Sequence, residues 1–195
     1  VLSPMFLHPT EHGVLPDGTS VATRALLLGI AMGMMRLGEF IGSPILGQLS
    51  DRFGRKGTLM LALVVTAVGN LAIGLAIEIE LVWIIIVSQF LIGFAGVLLV
   101  LAMAEVANRS DGVAKTQRFG FIYLASSLAY VFAPVIGGHL ADRKSFSWAS
   151  YPLPFYAATV VCLGCVFLIF WRFPPSIPTP TAREPIRLGK GFREL

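Results

Sequence analysis

The chain has 195 residues, 55% of them hydrophobic and 13% charged, with a formal charge of +4 and two cysteines, Cys162 and Cys165. Water-soluble domains run about 45–50% apolar and about 25% charged, and disordered chains are poorer still in apolar residues. A soluble domain, a disordered segment and a disulfide-stapled module are therefore excluded, which leaves embedding in a membrane.

Residues 1–24 hold scattered Pro, His and Gly, without the charged start and apolar core of a secretory signal. They are expected to form a loop on the outer side, and with Val at position 1 the chain is expected to be a piece of a longer protein. The first apolar tract covers about 25–49 and is interrupted only by Arg36 and Glu39. The second (57–77) and third (81–104) contain no charge, and the fourth (119–141) contains only His139. The fifth is expected over about 154–171, because Pro154 suits a first helical turn. Each tract approaches or exceeds the ~20 residues that cross a hydrocarbon core of about 30 Å. Inside lipid the backbone must satisfy its own hydrogen bonds, and runs such as Leu81–Val87 lack the alternation of a barrel strand. The expected fold is an all-α membrane protein with five transmembrane helices within residues 25–172.

Basic residues set the orientation. Arg52, Arg55, Lys56, Arg109, Lys115, Arg118, Arg172, Arg183, Arg187, Lys190 and Arg193 fall on one side of such a five-span chain. Arg24, Arg143 and Lys144 fall on the other. This asymmetry places the turn near 50–56, the loop 106–118 and the C-terminal tail in the cytoplasm. The tail, 173–195, has prolines at 174, 175, 178, 180 and 185, and is expected to be an extended linker.

Between the first two tracts lies Gly47-Gln-Leu-Ser-Asp51-Arg52-Phe-Gly54-Arg55-Lys56. Gly47 permits close helix packing, Gly54 permits a tight turn, and the three cations hold the segment at the cytoplasmic face. Asp51 is suited to accepting hydrogen bonds or facing a helix N-terminal dipole. This segment resembles the signature loop of the major facilitator superfamily, a glycine followed four residues later by D-R-x-G-R-K, and matches each defining position. The resemblance implies that the five tracts correspond to the second to sixth helices of an N-terminal half. It further implies that a first helix and an opposite six-helix half are absent from this chain.

Two further segments resemble that family. Ile86-Val-Ser-Gln89-Phe-Leu-Ile-Gly93-Phe-Ala-Gly96 is similar to its fourth-helix motif. Gln89 stands where the family has an arginine associated with proton coupling. Ala129-Tyr130-Val-Phe-Ala133-Pro134-Val-Ile-Gly137-Gly138 is similar to the fifth-helix signature of proton-coupled drug antiporters. There Pro134, Gly137 and Gly138 match, and Ala129 and Ala133 replace glycines. Proline removes a backbone donor, so a bend is expected at this point; an ordinary transmembrane kink would use the same residues.

A charge at the centre of a span costs about 2.5–3.5 kcal/mol on insertion scales, so Arg36 and Glu39 should face protein or water. They are spaced to meet on one helix flank. Gly29, Gly33, Arg36, Ser43 and Gly47 form one stripe, which is expected to face the bundle interior. Two roles fit the pair: lining a translocation path, or a neutralised ion pair that fixes helix packing. The resemblance implies that Glu105, at the cytoplasmic end of the third tract, joins Asp51 and Arg55 in a latch.

Other groups have plainer readings. Cys162 and Cys165 have redox spacing but sit in an apolar span without basic neighbours, so packing is expected. His8 and His12 are expected to be solvated, and His139 to be interfacial. No metal site, cofactor or nucleophile–base constellation is expected, and no nucleic-acid partner.

The expected function is ion-coupled efflux of small molecules by alternating access, with Arg36, Glu39, Gln89 and Tyr130 on the path and protons as coupling ion. An uptake carrier for a sugar, organic acid or siderophore remains open, as does a truncated membrane protein that does not transport.

Overall fold

A computed structural model describes residues 6, 15, 18–109, 112–142 and 148–172. His8, His12, Arg143, Lys144 and the linker expected over 173–195 lie outside the described residues. Among the described residues six helices follow in chain order: α1 (Val21–Phe53), α2 (Arg55–Glu78), α3 (Val82–Phe94), α4 (Leu98–Arg109), α5 (Gly112–Ala141) and α6 (Leu153–Arg172). They make five stretches long and apolar enough to cross a bilayer, with α3 and most of α4 together forming the third.

Local chemistry explains the helix ends. Ser20, in extended conformation, caps α1 by accepting a hydrogen bond from the Thr23 amide at 3.2 Å. The α1–α2 connection is one residue: Gly54 ends the first helix and opens the second, at φ +85° and ψ 152°. An L side chain is strained at that φ, so only glycine turns the chain cheaply here. The segment expected as a loop is therefore helical on both sides of Gly54. Asp51 and Arg52 belong to the last turn of α1, and Arg55 and Lys56 to the first turn of α2. At the other end of α2 the chain reverses through Glu80 at φ 56°. Amide bonds from Glu80 to Ile77 (3.4 Å) and from Leu81 to Ala76 (3.0 Å) satisfy the last carbonyls of that helix.

Packing is uneven. α1 packs chiefly on α3, and α2 on α6 and α3. The α1–α3 contact is built from glycines. A methyl group on Gly38 would meet the Phe90 carbonyl oxygen, one on Gly42 the Phe94 carbonyl oxygen, and one on Gly93 the Met35 carbonyl oxygen. With no lipid-versus-protein hydrophobic difference to drive association, such backbone-to-backbone approach supplies the van der Waals contact that holds spans together. Between α2 and α6, Thr159 donates to the Ala67 carbonyl (3.3 Å), and Tyr156 donates to Glu78 Oε1 (2.8 Å).

Among the described residues two separate apolar cores result. The larger joins Ala31, Ile73, Ala76, Ile77, Val82, Ile85 and Ile86 with Phe6. The smaller, toward the end that bears Arg55, joins Leu46, Leu59, Val97 and Leu101. α5 contributes to neither core: it touches α4 and α6, and not one of its residues is buried. Its helix runs uninterrupted through Pro134, as α1 does through Pro44.

Candidate functional site

Arg36 and Glu39 meet in the middle of α1, Nη1 to Oε2 at 2.8 Å. One helical turn on, the Ser43 hydroxyl donates to the Glu39 carbonyl at 2.6 Å. The pair sits on an open face: the Arg36 side chain is 75% exposed and that of Glu39 41%. Gly29 and Gly33 on the same stripe have nothing within 4 Å of a would-be Cβ, and neither does Gly47. The stripe therefore points away from the described helices, not into them as the sequence suggests. The reason is steric. Gly38, Gly42, Ala31, Leu46 and Ser50 form the buried side of α1, because α3 can approach most closely where the side chains are smallest. A mid-span charge facing hydrocarbon is costly, so this open face must meet water or further protein.

The other residues expected on a transport path are differently placed. Gln89 is buried in the α3 side of the packed helices, 7% exposed, and makes no hydrogen bond to Arg36 or Glu39. Tyr130 is 82% exposed on α5. Ala133 and Pro134 on α5 are also exposed, as is Gly138, and Gly137 is half-buried.

At the basic end, Arg55 Nη1 lies 3.6 Å from Glu105 Oε2, with both side chains largely buried. This contact ties the start of α2 to α4. Asp51 stays outside the pair, exposed in the last turn of α1 beside exposed Arg52, whose guanidinium lies over the Phe53 ring at 5.6 Å. Sequence reasoning missed the partner of Lys56. Its ammonium donates to the Phe170 carbonyl at 3.0 Å and lies 5.7 Å from the Phe170 ring centroid. The first turn of α2 thus reaches the last turn of α6, where unpaired carbonyls and the helix dipole favour a cation. The residues are 114 apart in sequence, so no local pattern announces the contact. Lys56→Met is expected to lower stability by about 1 kcal/mol and Lys56→Arg by less. Thermal unfolding in detergent, followed by tryptophan fluorescence, checks this.

Cys162 and Cys165 are free thiols, both half-buried in α6. Among the described residues no group of three or more His, Cys, Asp or Glu side chains is placed to hold a metal.

Long apolar helices packed through glycines, with an ion pair at mid-depth and cations gathered at one end, define a multi-pass membrane protein. The chain belongs to the Major Facilitator Superfamily, whose profile it matches over residues 13–194. It is similar to the class C tetracycline resistance protein of Escherichia coli, 28% identical over 165 residues, which cover 82% of this chain and 39% of that protein. It is equally similar to multidrug resistance protein 1 of Bacillus subtilis, 28% identical over 187 residues, 93% of this chain and 46% of that one. An inner membrane transport protein of Escherichia coli is 27% identical over 186 residues, 95% and 38% respectively. The chain thus spans about two fifths of the length of the curated relatives it matches.

Proposed function

We propose that the protein carrying this chain is a secondary active transporter that exports small molecules across the inner membrane, coupled to an ion gradient and most simply to protons. The carrying observation is the Arg36–Glu39 pair on an open face at mid-span. Charged groups at that depth serve substrate or ion pathways when they do not face lipid. In this superfamily the path lies near the midplane between two helical halves that rock against each other. The face bearing Arg36 and Glu39 is the one turned toward that path, to which exposed Tyr130 on α5 is also assigned, with buried Gln89 on α3 behind it. The relatives named for tetracycline and multidrug resistance support the outward direction. The basic end, with Arg52, Arg55 and Lys56, lies in the cytoplasm by the asymmetry of charge, and the C-terminal tail with it.

Energised cells expressing the whole protein are expected to lose a labelled drug faster than cells without it. Glu39→Gln is expected to slow this at least about tenfold, the equivalent of roughly 1.4 kcal/mol, with the protein still present in the membrane. An unchanged rate and pH dependence in Glu39→Gln would remove this carboxylate from the mechanism.

A second reading, an uptake carrier for a sugar, organic acid or siderophore, is favoured by departures from the antiporter pattern. Gln89 replaces the expected arginine, and Ala129 and Ala133 replace glycines. Accumulation of labelled solute, in place of its loss, decides for it.

A further inference from the structure

The flank shared by α2 and α6 differs in kind from the open face of α1. The exposed residues of α2 over 57–75 and of α6 over 160–171 are all uncharged. Such a surface suits hydrocarbon, whereas the face carrying Arg36 does not. The depth of this flank is set by α6, which has 20 residues. That is about 30 Å of helix, the thickness of the hydrocarbon core, so its last turn lies level with the headgroups. Trp171, exposed in that turn, is a residue type enriched at this level.

At the same level Lys56 reaches across from α2. The Phe170 carbonyl and ring hold its ammonium at the mouth of the groove between the two helices. Both are neutral groups, which orient the cation without cancelling its charge. Gly57, next in sequence, is exposed, with nothing within 4 Å of a would-be Cβ, so the first turn of α2 stays open there. Arg52 is exposed at the same end, across the Gly54 turn. On the ends of α1, α2 and α6 gathered here, Asp51 is the one acid among the described residues, against Arg52, Arg55, Lys56 and Arg172. Deeper along α6, the exposed rings of Phe167 and Trp171 stand 6.3 Å apart and make an apolar wall. Cations above and bare rings below reproduce, in complement, the two parts of a lipid.

We propose that the mouth of the α2–α6 groove binds the phosphate of an anionic phospholipid, with Lys56 as its ion partner and the Phe167–Trp171 wall along its acyl chain. Basic pockets between spans suit such headgroups. A free anion from solution gains the charge contact alone, whereas a lipid also covers the exposed rings and is already held at this depth. The bound lipid splints α2 to α6 where Lys56 joins them. None of this requires a transported solute, so the site stands or falls apart from the function proposed above.

Native mass spectrometry of the whole protein, released from detergent containing defined lipids, tests this. The first phosphatidylglycerol is expected to bind at least about fivefold more tightly than the first phosphatidylcholine, the size of one cation's attraction to anionic lipid. Lys56→Gln should erase that preference and Lys56→Arg should retain it. Lys115→Gln, which takes the same charge from α5 outside the groove, should leave it intact. Equal affinity of the parent for the two lipids, or a preference untouched by Lys56→Gln, overturns the proposal. Should Lys56→Gln fail to fold, Trp171→Ala, at an exposed position, takes its place and should weaken phosphatidylglycerol binding; unweakened binding overturns the site. The unfolding midpoint of the parent separates lipid from free anion. Phosphatidylglycerol is expected to raise it, and inorganic phosphate at equal concentration is not. An equal rise with inorganic phosphate overturns the lipid as occupant.

Discussion

Gly42→Leu is expected to separate α1 from α3 and to cost about 3 kcal/mol or more, the top of the range for overpacked cores. Most overpacking is relieved by side-chain rearrangement. At Gly42 the obstacle is the Phe94 backbone, with the Cβ itself overlapping its carbonyl oxygen, so relief requires moving a whole helix. Even Gly42→Ala should lower the unfolding midpoint clearly, and Gly38→Ala, against Phe90, should do the same. Gly29→Ala and Gly33→Ala serve as controls. Nothing lies within 4 Å of either position, and removing glycine from a helix interior gains about 0.5–1 kcal/mol. Detergent thermal unfolding of the four variants tests this, and an equal loss at all four positions would refute the glycine-built contact.

Glu105→Ala is expected to cost about 3 kcal/mol, because removing one member of a buried pair leaves the other charge less well compensated in a poorly solvated site. Both side chains are largely shielded, 8% exposed for Glu105 and 18% for Arg55, so solvent does little to compensate. Arg55→Ala should cost at least as much, since the carboxylate left behind is the less exposed member of the pair. The double variant should cost less than the sum of the two, which a double-mutant cycle measures directly. Strict additivity would mean that the 3.6 Å contact contributes nothing.

Much of this architecture was legible in the sequence for a simple reason. A span must be apolar over its whole length, so charge-free tracts such as 57–77 and 81–104 announce themselves without any knowledge of packing. Packing direction was not legible. Both sides of α1 carry small residues, Gly29 and Gly33 on one and Gly38 and Gly42 on the other, and the charged stripe was the misleading cue. The four-residue spacing of Gly38 and Gly42 was the signal that could have corrected it. The break in the third span was hidden for a different reason, because hydropathy does not register an interrupted ladder. Gly93 and Gly96 flank the place, but glycines in a span serve close packing as readily as an interruption. Of the expected latch, Arg55 and Glu105 meet, which the matched loop pointed to, and Asp51 does not join them. Lys56 and Phe170 were beyond reach, since only the folded arrangement of α2 beside α6 makes them neighbours.

The single-residue connection at Gly54 bears on biogenesis. With no slack between them, the first two helices cannot be threaded into the bilayer one after the other as independent segments. They must enter as a hairpin, so the second helix, uncharged over 57–77, helps to draw in the first, whose arginine and glutamate would make it a reluctant passenger alone. Lengthening that connection would uncouple the two insertions, and the defect would show during synthesis, before any finished molecule is unfolded.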